Sequence, residues 1–366
     1  MKQVAIITVT IMITTLLAGS CIMIDNVWID DRETFKVTDM FDREVNIPVN
    51  VERVIAAGAT ALRFVTYLDG SSKVVGVEDF EKDTSVKGLG GRTYAIAHPE
   101  YAELPSIGNQ HGGNEELMSF AGPDVVFFST QESHLCDHLQ SKLGIPVVGL
   151  SSGVDLTTNI ESFYRQIDLI GKILNNEKRA DYLKTEIDTL IHDIQSRATR
   201  ALEKDVPTVY IGGLSYGGSR GLYSTSAHYA PFIFLNANNI IKTASSVVVD
   251  VDKEALVGGN PDYIFLDRAG LPSAVIDYRN NRPALNDMAA FKNDSIYGMM
   301  QSNWYATNWD TVLISCYYVG KIIYPDEFDD VVMEKKAEEI YTMMLGVNVY
   351  QEVSENVGGF GQLSLA

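Results

Sequence analysis

Residues 159–202 most constrain the fold, because they carry helical periodicity between two halves of a different kind. Apolar residues recur there at three- and four-residue steps, with Gly171 as the only glycine and no proline. On either side, apolar runs such as 124–128 and 262–266 alternate with helical segments. Runs that are apolar at successive positions are typical of parallel strands covered on both faces. The pattern therefore predicts two α/β halves of similar plan, joined by a long helix.

We expect an α/β fold of two Rossmann-like lobes with central parallel sheets, joined by one long rigid helix. A single helix should limit hinge motion between the lobes. The predicted segments are a signal peptide with a lipobox-like end at 1–21, a tether at 22–34, an N-terminal lobe at 35–175, a linking helix at 176–204, a C-terminal lobe at 205–345 and an irregular C-terminal tail at 346–366.

The N-terminal segment predicts the compartment. Lys2 precedes an apolar stretch whose length suits a signal-peptide core better than a membrane span. The sequence AGSC at 18–21 resembles a lipobox, in which Cys21 becomes an acylated N-terminus. An ordinary signal peptide and a single anchoring helix are the alternatives. All three place the remaining chain outside the cytoplasm, in a periplasm or on a cell surface.

Charge and motifs exclude several functions. The formal net charge of −19 argues against nucleic-acid binding. Neither a Walker A motif nor a paired-carboxylate signature occurs, so we expect no enzyme. The six histidines are scattered, and we expect no metal-ion site. Cys136 and Cys316 lie in apolar segments and are expected to be buried free thiols, with a disulfide between them as the alternative.

A helix-then-strand arrangement occurs in each half and carries a family resemblance. LPSIG at 104–108 precedes NEEL at 114–117 and AGPDVV at 121–126, and VDKEAL at 251–256 precedes NPDYI at 260–264. The chain resembles the class III, helical-backbone substrate-binding proteins of ABC importers for ferric siderophores, haem and cobalamin. The resemblance implies a monomer that captures a small molecule between its lobes and delivers it to a permease dimer with ATPase subunits. It implies no covalently bound cofactor.

The same resemblance implies docking residues. The family uses one glutamate in each lobe to contact arginines of the two permease subunits. By position these are Glu116 and Glu254, with Glu115 competing for the first role. Exposed carboxylates pair well with the forked guanidinium group.

Three further patterns narrow the resemblance. GLSYGG at 213–218, GLYSTS at 221–226 and NWYATNW at 303–309 look like the branch for iron compounds, which also holds molybdate and tungstate binders. A ferric siderophore-type chelate is the main expectation, and molybdate or tungstate is the alternative. A haem or corrinoid binder and a non-transport sensory or adhesion protein also stay open.

Ligand contacts are expected where loops at the carboxyl ends of strands face each other. The turn at 58–61 offers backbone N–H groups to an anion. Arg92 with Tyr94 suits an oxyanion or a catecholate oxygen. The predicted contacts are Thr60, Arg92, Tyr94, Asn109, Gln110, Ser129, Ser215, Tyr216, Arg220, Tyr223, Arg268, Asn303, Trp304 and Tyr305.

Overall fold

The computed structural model describes residues 22–24, 27–29, 32–85, 89–202, 206–215, 218–245 and 248–365. The predicted signal peptide, its Cys21 and the predicted ligand contact Tyr216 lie outside these residues. No helix in the described ranges is both long and apolar enough to span a membrane. Part of the predicted tether forms a short antiparallel hairpin, in which residues 22–24 pair with residues 27–29.

Short strands and helices alternate along most of the chain. The strands are β1 Ile22–Ile24, β2 Val27–Ile29, β3 Thr34–Thr38, β4 Glu44–Pro48, β5 Val54–Ala57, β6 Val74–Gly76, β7 Val125–Thr130, β8 Val147–Ser151, β9 Thr208–Gly212, β10 Ser224–Thr225, β11 Asn238–Asn239, β12 Val249–Asp250, β13 Tyr263–Asp267, β14 Ile296–Met299 and β15 Gly361–Gln362.

The α-helices differ widely in length. They are α1 Ala61–Tyr67, α2 Thr93–Ala97, α3 Glu115–Ala121, α4 Ser133–Leu143, α5 Ile160–Leu174, α6 Glu177–Ala201, α7 Ala230–Phe234, α8 Lys253–Gly259, α9 Leu271–Leu285, α10 Ala289–Lys292, α11 Trp309–Ile323, α12 Met333–Leu345 and α13 Tyr350–Val357. Short 3₁₀ turns occupy Ser71–Lys73, Asp79–Lys82, Pro99–Glu103, Arg268–Gly270 and Pro325–Phe328.

The first lobe is built on a four-stranded parallel sheet in the order β6-β5-β7-β8. Val54 pairs with Val125, and Phe127 pairs with Val148. All four side chains are buried, which explains the uninterrupted apolar runs in the sequence. The predicted strands are therefore confirmed in this half.

The second lobe contains a five-stranded sheet in the order β11-β9-β13-β14-β15. Its first four strands are parallel, and β15 joins the edge antiparallel to β14. The prediction of an irregular tail at 346–366 was wrong for α13 and β15. Four glycines obscured the pattern there, and the pairing of Gly361 with Gly298 depends on a strand far away in the sequence.

Helix α6 confirms the long helix near the middle of the chain. It spans 25 residues, and its buried face includes Leu183, Ile187 and Ile194. Burying each such side chain stabilises the fold by roughly 1.5–3 kcal/mol. Arg197 at its C-terminal end bonds Asp193 on the same helix and Asp330 near α12, which holds the helix against the second half. The lobe boundaries stay predictions.

The two cysteines outside the N-terminal segment are free and buried, as expected. Burial raises the pKa of Cys136 to about 11 and raises that of Cys316 further. Both thiols therefore stay protonated at neutral pH.

Candidate functional site

A cleft of about 950 Å³ lies where strands of the two sheets end. Ser215 follows β9, Arg268 follows β13 and Gln301 follows β14, while Phe80 follows β6 of the other sheet. Carboxyl ends of parallel strands are where α/β proteins bind ligands. The described residues that line it are Phe80, Gly90, Gln110, Ser215, Gly218, Ser219, Arg268, Ala269, Pro272, Gln301, Asn303, Trp304, Tyr305, Asn356 and Val357.

Arg268 supplies a positive charge to this wall. Its Nε donates to the carbonyl of Gly359, and the side chain passes so close to Gly298 that a Cβ there would lie 2.9 Å from Nε. Partial burial lowers the pKa of Arg268, although a guanidinium stays protonated in proteins. No salt bridge to Arg268 occurs within the part of the chain that the structure describes. The wall therefore presents a cation that a ligand can neutralise.

Aromatic rings form another part of the wall. The indole of Trp304 covers Gly90. A Cβ at this position would lie 2.7 Å from the ring, and the φ of +48° also favours glycine. The rings of Phe80 and Tyr305 pack with centroids 4.7 Å apart. The Trp304 Nε1 is buried without a hydrogen-bond partner among the described residues. This wall suits a ligand with flat, apolar surface.

Tyr305 is tied to the first lobe by its hydroxyl. The hydroxyl donates to Glu78 Oε2 at 2.6 Å and accepts from the His111 N–H at 2.8 Å. Burial raises the pKa of the Glu78 carboxyl, and the hydrogen bonds from Tyr305 and the Gly112 and Gly58 N–H groups oppose that shift. The Tyr305 ring borders the cleft, while its hydroxyl is engaged in the framework.

Arg63, on α1, holds the segment that carries these aromatic rings. Its Nε donates to Asn308 Oδ1 at 2.9 Å, and one of its Nη atoms donates to the carbonyls of residues 304–306 at 3.1–3.3 Å. Tyr305 and Ala306 have φ values of +52° and +72°, a region that side chains disfavour. The buried guanidinium offsets this strain, and sequence reasoning missed it.

A buried carboxylate forms a second connection to the same segment. Asp310, in the first turn of α11, accepts from the Tyr67 hydroxyl at 2.7 Å and from Thr93 Oγ1 at 2.9 Å. Both donors belong to helices of the first lobe. Together, Arg63 and Asp310 connect residues 304–310 to the first lobe.

The two predicted anion sites exist, but carboxylates of the chain itself fill them. The Gly58 N–H donates to Glu78 Oε1 at 3.2 Å. Arg92 Nη1 bonds Glu81 Oε2 at 2.5 Å, and the Tyr94 hydroxyl bonds Glu81 Oε1 at 2.8 Å. Arg92 and Tyr94 are fully buried and are not lining residues. The expected ligand contacts of Arg92 and Tyr94 are corrected to framework contacts beneath the cleft.

Of the other predicted ligand contacts, some line the cleft and the rest lie elsewhere. Thr60 and Ser129 are buried, with their hydroxyls 2.7 Å apart, so each satisfies the other. Asn109 is exposed beside the lining residue Gln110. Arg220 pairs with Asp250 at the surface. The predicted contacts that do line the cleft are Gln110, Ser215, Arg268, Asn303, Trp304 and Tyr305.

Tyr223 is partly buried and Asp267 is buried, and neither lines the cleft. Tyr223 packs against the second hydrophobic cluster, so its predicted ligand contact is corrected as well. Asp267 ends β13 and accepts from the Ala269 N–H at 2.9 Å. Burial raises the pKa of Asp267 to about 7, so its charge changes near neutral pH.

The chemistry of the wall favours an anion over a bare cation. No group of three or more His, Cys, Asp or Glu side chains that could hold a metal ion occurs in the described ranges. None of the described lining residues is acidic, and none is His, Cys or Met. The wall instead offers amides, hydroxyls, aromatic rings and one guanidinium.

A family model described as periplasmic binding protein matches residues 54–302, more than half of the chain. The chain belongs to this family of periplasmic binding proteins. It is therefore an extracytoplasmic substrate-binding protein of an ABC transporter and not an enzyme.

Relatives of this periplasmic binding protein include two bacterial chains. The molybdate-binding protein MolA of Haemophilus influenzae is 22% identical over 334 residues, which cover 83% of this chain and 89% of MolA. An uncharacterized ABC transporter substrate-binding lipoprotein of Bacillus subtilis, YvrC, is 21% identical over 302 residues, covering 81% and 88%.

Solved structures have the same fold. A periplasmic solute binding protein from Veillonella parvula aligns with a TM-score of 0.69 at 19% identity, covering 89% of this chain and 97% of the other. Molybdate-bound MolA aligns with a TM-score of 0.67 at 20% identity, covering 86% and 98%. At these identities the likeness confirms two lobes of the class III type.

Two short helices of this periplasmic binding protein match each other across the lobes. Helix α3 begins after Asn114, whose side chain accepts from the Leu117 N–H, and α8 begins after Asp252, which accepts from the Ala255 N–H. Each has seven residues, ends at a left-handed residue and returns the chain to a parallel strand. Since each helix leads back into a parallel strand, both begin on the side of their sheet where the parallel strands end.

Each matched helix carries a glutamate at its second position. Glu116 is exposed, whereas its neighbour Glu115 lies 3.4 Å from His138 on α4. Glu254 is also exposed, with Lys253 Nζ 3.7 Å away. The exposure of Glu116 separates it from Glu115 as the residue matching Glu254.

Proposed function

We propose that this protein captures a negatively charged metal chelate of ferric-siderophore size and delivers it to a permease dimer driven by ATPase subunits. The observation that carries the proposal is the cleft of about 950 Å³, with an aromatic wall, one cation and no acidic lining residue in the described ranges. Such a volume lies in the range of about 300–1,000 Å³ that holds drug-sized molecules.

The wall chemistry supports a chelate over a bare ion. A chelated ferric ion brings its own ligands, so the protein needs no carboxylate or imidazole to hold it. Trp304 and Phe80 supply flat surface for the organic part of the ligand, and Arg268 meets its net negative charge. Gln110, Gln301 and Asn303 add amide groups that can fix its orientation.

Thermal unfolding of the chain lacking residues 1–21 tests this proposal. The panel contains ferric catecholate and ferric hydroxamate siderophores, haem, cobalamin, molybdate and tungstate. A ligand at a hundred times its Kd stabilises the folded state by about 2.7 kcal/mol, so its binding raises the unfolding midpoint. We expect a ferric siderophore to give the shift.

Matched arginine variants locate the binding site in the same assay. Arg268→Gln should remove most of the ligand-induced shift. Arg279→Gln, at an exposed position on α9, should keep it. A shift given only by haem or cobalamin, or one that survives Arg268→Gln, argues against the proposal.

Molybdate or tungstate is the second candidate, favoured by the similarity to MolA in both sequence and fold. Ser215 and Arg268 offer donors suited to a small oxyanion. A shift with molybdate or tungstate alone favours this candidate. The absence of histidine among the described lining residues weighs against axial binding of haem, and the family match favours transport over a sensory or adhesion role.

We also propose that the mature protein is a monomer held at the outer face of the cell membrane by a lipid on Cys21. Support comes from the AGSC sequence at 18–21 and from the similarity to a protein named as a lipoprotein. Cys21→Ser should release the protein from the membrane fraction of cells. Retention of that variant in the membrane fraction counts against the anchor.

Docking through Glu116 and Glu254 completes the proposal. Their matched and exposed places on α3 and α8 support a surface that contacts two similar permease subunits at once. Arginine pairs with such carboxylates in a fixed geometry, which orients the complex.

A further inference from the structure

Phe120 on α3 is exposed to a degree unusual for its size. Its exposed fraction is 90%, the highest among the large apolar side chains that the structure describes, and that of Leu117 on the same helix is 42%. Phe120 follows Glu116 by four residues, so the two side chains are neighbours on one helix face. An aromatic side chain therefore stands beside the carboxylate proposed for docking.

The matched helix of the second lobe lacks this feature. Four residues after Glu254 comes Gly258, and Ala255 occupies the place of Leu117. A Cβ added at Gly258 would meet no atom within 4 Å, so packing within the lobe does not require a small residue there. The exposed faces of α3 and α8 therefore each carry a glutamate, but only that of α3 carries large apolar side chains.

We propose that Phe120 is an apolar anchor that inserts into a pocket of one permease subunit, while the face around Gly258 lies flat against the other. The inference rests on the proposed function, since it needs Glu116 and Glu254 at the permease. Exposed aromatic residues that become buried at an interface contribute much of its binding energy. The two contacts thus share a negative charge, and they differ in shape because one protrudes at Phe120 and the other is flat at Gly258.

The charge of the chain argues against other occupants of this face. A net charge of −19 repels an anionic lipid surface. A symmetric contact between two copies through Phe120 would bring two Glu116 carboxylates together, which is unfavourable. A permease surface that carries arginines beside an apolar pocket fits both groups.

Binding to the permease and ATPase subunits of its transporter, reconstituted in nanodiscs, tests the anchor. Phe120→Ala should weaken binding roughly tenfold or more. The control is Ile276→Ala on α9, which truncates another exposed side chain (58% exposed) and should leave binding unchanged. Gly258→Phe should also weaken binding, because it adds bulk to the flat face. Ligand affinity and unfolding should not change in any of the three.

The outcomes separate the anchor from the proposed function. If Glu116→Lys with Glu254→Lys weakens binding and Phe120→Ala does not, the anchor is wrong and the docking carboxylates stand. If the wild-type chain does not bind the reconstituted transporter, both are wrong. Binding to empty nanodiscs that contain anionic lipid, or a dimer in sedimentation, either of which Phe120→Ala abolishes, would assign Phe120 to that contact instead and overturn the anchor.

Discussion

The Tyr305 hydroxyl donates a 2.6 Å hydrogen bond to the Glu78 carboxylate, although the two residues follow strands of different sheets. The same carboxylate accepts from the Gly112 N–H at 2.7 Å. A residue that borders the cleft is thereby joined to a buried acid of the opposite lobe. The Glu78 carboxylate therefore acts together with Arg63 and Asp310 to hold the aromatic wall against the first lobe.

Tyr305→Phe should destabilise the fold by about 1–3 kcal/mol, because it leaves a buried carboxylate with one donor fewer. Urea unfolding at neutral pH measures the change. Tyr182→Phe is the matched control, since the Tyr182 side chain is 46% exposed, and it should have little effect. Equal stability of the two variants would show that the Tyr305 hydroxyl is not a structural link.

Arg63→Met should cost about 2–4 kcal/mol of stability and weaken ligand binding as well. The substitution leaves the Asn308 side chain and the carbonyls of residues 304–306 without their donor, and Trp304 loses its support. Urea unfolding and ligand titration measure the two effects. Arg279→Met at an exposed position provides the comparison, and wild-type ligand affinity in Arg63→Met would contradict the role given to Arg63.

Asp267 predicts a loss of stability as pH rises. Its pKa of about 7 in the folded protein lies above the ordinary value of 3.8 because the carboxyl is buried. Ionisation therefore disfavours the folded state: the stabilisation from the protonated form is complete below pH 3.8 and is lost as pH rises to about 7. The loss is on the order of 4 kcal/mol.

Asp267→Asn should remove this pH dependence. The stability of the wild type relative to the variant should fall between pH 4.5 and pH 7.5 in urea unfolding. Asp287→Asn, at a side chain that is 84% exposed, should track the wild type at both pH values. A constant difference between wild type and Asp267→Asn would mean that Asp267 is not penalised by burial.

Reversing both proposed docking charges should abolish uptake without affecting ligand capture. Glu116→Lys with Glu254→Lys replaces attraction to permease arginines by repulsion. Uptake of labelled ligand by cells and ligand titration of the purified variant give the two measurements. Glu52→Lys with Glu338→Lys makes the same change in net charge at exposed sites elsewhere and should transport normally. Unchanged uptake by the first variant would remove the docking assignment.

Local patterns predicted the strands and the long helix because burial on both faces leaves a trace in consecutive residues. The run at 124–128 needs no partner to be recognised as a buried strand, and α6 was visible from its spacing alone. Similarly, the matched positions of Glu116 and Glu254 were visible because each precedes a strand by a similar distance.

The occupants of the predicted anion sites were not visible from the sequence. The turn at 58–61 and the pair formed by Arg92 and Tyr94 do bind carboxylates. Those carboxylates belong to Glu78 and Glu81, which come from a 3₁₀ turn and its N-cap. The sequence therefore correctly predicted that these groups bind an anion. Which anion they bind depends on tertiary contacts that the spacing of residues does not reveal.

Asn356 and Val357 line the cleft, and the carbonyl of Gly359 accepts from Arg268, so residues from α13 onward complete the wall. A chain that ended after α12 would contain every parallel strand of both sheets and would still lack this side of the cleft. Ligand capture therefore needs the last residues of the second half, even though the parallel strands of both sheets do not.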